Sequence, residues 1–333
     1  MIANDADTAR RVRTCVIDRE DGAGAQYLDR ATAELGLQVL TPSQLADIHP
    51  DTEAVYVRAS YWTDIDELLR LAPGLKWVQL SMVGYDRLLT PAFRESGVTL
   101  TNARGVLDDA IAEFVVGGTL LWSKGLLTST LDSRAHCAHY RQLLGNAELR
   151  ALVLGAGSIG SAVARHLRGI GVPRVDGVRR TIPPMAEVAA GPFDRVLTFA
   201  QLGRAVDIAD YSVIVAVLPS SPTTSGIIGA ELLEGLAERV VFINVGRGDT
   251  VDNIALAEAM AQRPGSAAVL DVTAPEPLPA AHPLFAQPNV VISPHMSGDT
   301  RDRHRGFAEL FLDNLARYTA GEPLRNVVET SAP

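Results

Sequence analysis

Short apolar runs alternate with longer amphipathic stretches along most of this chain, and that alternation predicts strands and helices in turn. Strands are expected at residues 12–17, 54–57, 77–80 and 98–102, with a helix over 23–35. Residues 108–124 read as one long helix, with Asp109 placing negative charge near its positive end. A second series of strands follows at 149–154, 174–178, 212–218, 240–245, 267–272 and 290–293. The run 212–218 is nearly all apolar, as a strand buried on both faces should be. A last helix, opening near Asp299, carries Phe307, Leu310, Phe311, Asn314 and Leu315 at helical spacing. Strands alternating with helices imply parallel sheets with crossover helices, so the expected class is α/β.

The second series opens on Gly155-Ala-Gly157-Ser158-Ile159-Gly160, directly after an apolar strand and directly before a helical pattern. In a chain with 28 glycines the bare spacing is weak, but its place between strand and helix makes it specific. Gly155 makes the tight turn, Gly157 lets backbone approach a pyrophosphate, and Gly160 lets helix pack on strand. The helix N-terminus then binds the anion through free N–H groups and its dipole. The next strand should end in an acid that binds the ribose hydroxyls of NAD. Here it ends in Arg179-Arg180, and the nearby acid, Asp176, lies mid-strand. Guanidinium groups pair with a 2′-phosphate where a carboxylate would repel it, so NADP is favoured over NAD without excluding NAD.

Composition narrows the rest. An apolar share of 47% with 21% charged residues describes a globular chain long enough for two domains. A net charge of −9 leaves no basic surplus for nonspecific nucleic-acid binding. The two cysteines suit a reducing cytoplasm, and no apolar run reaches membrane-spanning length. His136, Cys137 and His139 lack the spacing of a metal site, so no metal is expected. The Ser220 to Ser225 run has no accompanying base and reads as turns.

Three later strand ends each carry one chemically active group: Arg247, Glu276 and His295. Open parallel sheets bind ligands at their carboxyl ends, so the three should converge. An arginine fork suits the carboxylate and oxo group of a 2-oxo acid, and an imidazole can supply the proton that ketone reduction needs. A carboxylate beside that imidazole would orient it and favour its protonated form.

These residues resemble the D-isomer-specific 2-hydroxyacid dehydrogenase family, which includes glyoxylate/hydroxypyruvate reductases, over a span from about Trp77 to Pro294 and beyond. The resemblance implies that Arg247, Glu276 and His295 are the catalytic residues. It places Asp271 at the nicotinamide carboxamide, Leu218 and Pro219 near the adenosine, and Val245 and Gly246 along the nicotinamide. The segment from Leu80 to Asp86 resembles the loop whose N–H groups bind the substrate carboxylate, so Val83 and Gly84 are expected there. Arg58, in a loop before Tyr61 and Trp62, is a candidate for an acidic substrate tail or for surface packing. Gly246 departs from the family's usual alanine, and Arg179 from its usual acid.

The expectation is therefore two Rossmann-like doubly wound domains with a cleft between them. Residues 1–104 plus 298–333 would bind substrate, and the inserted 105–297 would bind NAD(P). Residues 122–148 would help build a homodimer, as in the family. The implied reaction is reduction of a small 2-oxo acid to the D-2-hydroxy acid, or its reverse. Phosphoglycerate dehydrogenase-like oxidation and a non-enzymatic dinucleotide sensor are the alternatives.

Overall fold

A computed structural model describes residues 12–59, 64–127, 143–202 and 206–330. It divides into two compact units, one of Met1–Val106 with Thr300–Pro333 and one of Leu107–Asp299. Both are built on parallel sheets, as the alternation predicted.

The first unit holds β1 (Thr14–Ile17), β2 (Gln38–Leu40), β3 (Ala54–Val57), β4 (Trp77–Leu80) and β5 (Thr99–Thr101), ordered β2-β1-β3-β4-β5. Alternate residues of each strand serve opposite faces. Cys15, Ile17, Val55, Val57, Val78, Leu80 and Leu100 fill a core on one side. On the other, Tyr56 stacks on Phe311 with ring centroids 4.3 Å apart, bringing the helix Arg303–Ala320 onto the sheet. The buried Asn314 on that helix explains a polar residue within an apolar stripe. Its amide donates to Gln79 Oε1 at 2.8 Å, and its Oδ1 accepts from the Arg325 N–H at 2.8 Å.

The second unit holds β6 (Arg150–Leu154), β7 (Arg174–Val178), β8 (Arg195–Leu197), β9 (Val213–Ala216), β10 (Val241–Asn244), β11 (Ala267–Leu270) and β12 (Val290–Ile292). Their order, β12-β11-β10-β9-β6-β7-β8, reverses direction between β6 and β9. Such a reversal is where open α/β sheets bind ligands. The sheet has a core on each face. Val153, Val215 and Ile243 pack with the helices Asp108–Ser123 and Ser158–Gly169 on one side. Leu152, Ile214 and Phe242 pack with the helix Asn253–Ala261 on the other.

Several expected elements differ. The helix over 23–35 starts late, because Gly24 is left-handed, and is divided at Leu28 into a 3-10 turn, Ala25–Tyr27, and the helix Asp29–Leu35. The strand expected over 212–218 stops at Ala216, freeing Leu218 and Pro219 for a loop. Strands β2 and β8 had no counterpart in the sequence pattern. Both are short edge strands that open on a polar residue, Gln38 or Arg195, so that only two apolar positions mark each of them. Tyr61, Trp62, the His136–His139 segment and most of the proposed dimer extension lie outside the described residues. No helix among the described residues is long and apolar enough to cross a membrane.

Candidate active site

The glycine-rich turn lies at the reversal point, between the carboxyl ends of β6 and β9. Gly155 has φ 114°, and a Cβ there would sit 2.4 Å from the Val217 carbonyl oxygen. A Cβ on Gly160 would sit 2.1 Å from the Gly155 oxygen, so the helix Ser158–Gly169 touches the turn only because that side chain is missing. Around Gly157 the space is open, with nothing within 4 Å of where a Cβ would stand. The N–H groups of Gly155 and Ala156 both donate to the Val178 carbonyl, which pins the turn to β7. The helix opens at Gly157 without a side-chain cap. Its first N–H groups therefore keep their donor capacity beside an open space, and this cradle fits a pyrophosphate. Ser158 at the mouth donates its hydroxyl to the buried Asp108 carboxylate, an acid that sequence reasoning did not single out.

At the tip of β7, the Arg179 N–H donates to the Leu197 carbonyl at 2.9 Å, which fixes the root of its side chain there. Arg180 beside it is exposed. Asp176 turns away from this site. It is fully buried in mid-strand and accepts from the Tyr211 hydroxyl at 2.6 Å and from Arg195 at 2.8 Å. Burial, then the Asp176 carboxylate, push the Tyr211 hydroxyl up to about 12. Asp176 is not the acid nearest the arginine pair: Glu187, eight residues past Arg179, reaches its guanidinium at 3.0 Å.

The remaining site residues follow three neighbouring strands. Arg247 comes after β10, Glu276 after β11 and His295 after β12, so parallel pairing brings all three to one sheet edge. Arg247 keeps its backbone fixed by accepting from Thr250 Oγ1 at 2.7 Å, and its guanidinium donates to the Gly246 carbonyl at 2.9 Å. A Cβ on Gly246 would lie 2.6 Å from the Leu218 nitrogen. The family's alanine therefore needs a shifted 217–219 segment, whereas glycine lets the loops after β9 and β10 close together. The backbone N–H of Val245 donates to Ala216 at 3.0 Å and holds that approach.

His295 and Glu276 meet directly, Nδ1 to Oε1 at 2.8 Å, with both side chains about half exposed. That contact leaves Nε2 as the nitrogen available for proton transfer. The peptide bonds joining Ala274 to Pro275 and Glu276 to Pro277 are cis. His295 itself has φ 54°, a left-handed conformation unfavourable to a side chain. Asp271 holds it there. Its buried carboxylate accepts from Ser293 Oγ at 2.7 Å, Met296 N at 2.7 Å and Ser297 N at 2.9 Å, while its carbonyl accepts from His295 N at 3.0 Å. The sequence pattern pointed to Asp271 only through the resemblance, and this clasp around the histidine was not legible.

Val83 and Gly84 belong to the first unit, in the loop after β4. The loop is anchored by Asn102, whose amide donates to the Val83 carbonyl at 2.8 Å, and by the Ala103 N–H donating to Met82 at 2.9 Å. Arg58 is placed differently from a substrate contact. Its guanidinium is buried, pairs with Asp18 at 2.6 Å and donates to the Ala23 carbonyl. These bonds commit it to holding the loop after β1, which is a structural role within the first unit.

A dinucleotide cradle with an arginine and a histidine–carboxylate pair at the next strand ends defines an oxidoreductase of hydroxy acids. Comparison with known proteins agrees. The profile described as "D-isomer specific 2-hydroxyacid dehydrogenase, NAD binding domain" matches residues 124–297. The chain is 31% identical over 267 residues to the glyoxylate reductase/hydroxypyruvate reductase of Homo sapiens, covering 78% of this chain and 79% of that one. It is 30% identical over 288 residues to the glyoxylate reductase of Aeropyrum pernix, covering 84% and 83%. A D-isomer specific 2-hydroxyacid dehydrogenase from Xanthobacter autotrophicus Py2, solved with NADPH and MES, superposes with a TM-score of 0.81 at 28% identity over 96% of this chain and 98% of that one. The chain belongs to the D-isomer specific 2-hydroxyacid dehydrogenase family and is an NAD(P)-dependent enzyme of that family.

Proposed function

We propose that the enzyme reduces a small 2-oxo acid of the glyoxylate or hydroxypyruvate kind to the D-2-hydroxy acid, preferring NADPH to NADH. The observation that carries this reading is the Glu276–His295 contact at 2.8 Å, one strand end away from Arg247. When bound, the reduced nicotinamide supplies the hydride. The guanidinium of Arg247 holds the substrate's carboxylate and oxo oxygen by charge-assisted bonds. His295 Nε2 delivers a proton to the oxo oxygen as that oxygen becomes a hydroxyl. Glu276 keeps the ring oriented and balances the imidazolium charge, and in the reverse direction the neutral ring takes the hydroxyl proton. Leu218, Pro219, Val245 and Gly246 line the coenzyme, with Asp271 at the carboxamide. The preference for NADPH is supported by Arg179 and Arg180 at the tip of β7, where a ribose 2′-phosphate would lie. We also propose a cytoplasmic homodimer, on the strength of the family resemblance and the cysteine content.

The test is a panel of 2-oxo acids followed by oxidation of NADPH and of NADH. Turnover of glyoxylate or hydroxypyruvate with a lower KM for NADPH supports the reading. An enzyme that turns over none of the panel, or that prefers NADH, refutes it.

A further inference from the structure

We propose that Glu187 sets the strength of the coenzyme preference by competing with a 2′-phosphate for Arg179. The proposal rests on the coenzyme reading above. The carboxylate is held in position by the local chain. The chain leaves β7 at Val178, passes Pro183 and Pro184, and turns into the short helix Met185–Ala190. Glu187 lies in the first turn of that helix, where its N–H donates to the Pro184 carbonyl at 2.9 Å. Prolines restrict the connection, and the turn carries the carboxylate back to the tip of β7. There, Glu187 Oε1 meets one terminal nitrogen of Arg179 at 3.0 Å. Among the described residues this is the one side-chain contact of Arg179, made through one terminal nitrogen, and a guanidinium has further donors to offer an anion. Two guanidiniums and one carboxylate thus share the place where ribose recognition occurs in this fold.

Glu187 has two conceivable effects, and they differ in sign. As a support it would orient Arg179, and its loss would weaken NADPH binding. As a competitor it would withhold Arg179 and repel the phosphate, and its loss would strengthen binding. The support effect is small, because the Leu197 carbonyl already pins the Arg179 backbone and the pair is exposed, 41% and 60% at the two side chains. The phosphate carries nearly two negative charges at neutral pH and meets both the competition and the repulsion. Competition therefore wins. NADH has a neutral 2′-hydroxyl, for which a nearby carboxylate is a neutral or favourable neighbour.

Isothermal titration of the full-length enzyme with NADPH and with NADH tests this. Glu187→Gln keeps the size of the side chain and removes its charge. It should tighten NADPH binding about two- to fivefold, the range of an exposed ion pair, and leave NADH within about twofold. The gain should fade as salt approaches about 1 M, where such charges are screened. An unchanged NADPH Kd, a weakened one, or an equal gain for NADH overturns the proposal. Arg179→Gln, measured in parallel, separates this failure from failure of the coenzyme reading. If Arg179→Gln weakens NADPH while Glu187→Gln does nothing, the arginine reading stands and the Glu187 proposal falls. If Arg179→Gln also leaves NADPH unchanged, both fall.

Discussion

Replacing Asp271 by asparagine should disable His295 without touching it. The carboxylate accepts three hydrogen bonds from residues on both sides of the histidine, two at Oδ1 and one from Ser297 N at Oδ2. Asparagine keeps the Oδ1 pair but turns an NH2 toward the Ser297 N–H, donor against donor. The loss of one bond to a charged acceptor amounts to about 1.5–3 kcal/mol. His295 adds a driving force of its own, since its left-handed φ of 54° relaxes once the clasp opens. The cheapest response is local: residues 293–297 shift, and Nε2 leaves its place. A misplacement of about 1 Å can cost about 10²-fold in rate, so kcat for 2-oxo acid reduction should fall by roughly that factor while the thermal midpoint moves by only a few degrees. The assay is kcat at saturating coenzyme, because a residue acting only on the carboxamide would raise the coenzyme KM and leave kcat recoverable. Ser293→Ala, which removes one Oδ1 donor only, should change kcat far less. A kcat for Asp271→Asn within about twofold of wild type would refute the clasp.

Other variants probe the rest of the site. Arg247→Lys should lower kcat/KM for the 2-oxo acid more than tenfold with coenzyme Kd unchanged, since an ammonium lacks the two-point fork, as steady-state kinetics and titration will show. His295→Ala should lower kcat about 10²–10⁴-fold, and Glu276→Gln, which still offers an acceptor to Nδ1, should retain more activity than Glu276→Ala. The Tyr211 hydroxyl, ordinarily near 10, is held up to about 12 in the fold, so the native state keeps a proton that the unfolded state releases. Its stabilising effect is complete below about pH 10 and is lost as pH rises toward about 12, and urea melts of Tyr211→Phe should show a shallower alkaline decline than wild type. Asn314→Ala removes one buried donor from Gln79 Oε1, which keeps Thr101 Oγ1, and the acceptor of the part-buried Arg325 N–H, and should destabilise by about 1–3 kcal/mol in the same melts.

The order of elements was legible because the central strands are buried on both faces. β3, β4 and β9 lie where the apolar runs placed them, each paired on both sides. The edge strands β2 and β8 were not legible, since each opens on a polar residue, Gln38 or Arg195, and leaves only two apolar positions, whereas the equally short β12 is Val-Val-Ile throughout. The shared sheet edge was legible for a related reason. Parallel pairing sets the carboxyl ends of β10, β11 and β12 side by side and so puts Arg247, Glu276 and His295 in neighbouring loops, whereas the contact of Glu276 with His295 depends on the course of the loop after β11.

Charge partnerships obey no such rule, and there the sequence misleads. Arg58 read either as a substrate arginine or as packing at a strand end, and a residue 40 positions earlier, Asp18, pairs with it inside the first unit. Removing Asp18 would leave a buried guanidinium unpaired, which is costly, so the pair is best explained as holding the loop after β1 against β3. Arg179 shows the converse. Its partner Glu187 is only eight residues away, but two prolines and a new helix intervene, and no periodicity predicts that the chain folds back. Backbone pairing is repetitive and can be read from pattern, whereas a side-chain ion pair depends on where two unrelated segments end. The sheet edge proposed as catalytic belongs to the first kind. Asp271 beneath the histidine and Glu187 beside the arginine belong to the second, and on the proposed reading variants at those two positions should alter rate and coenzyme choice while leaving the fold in place.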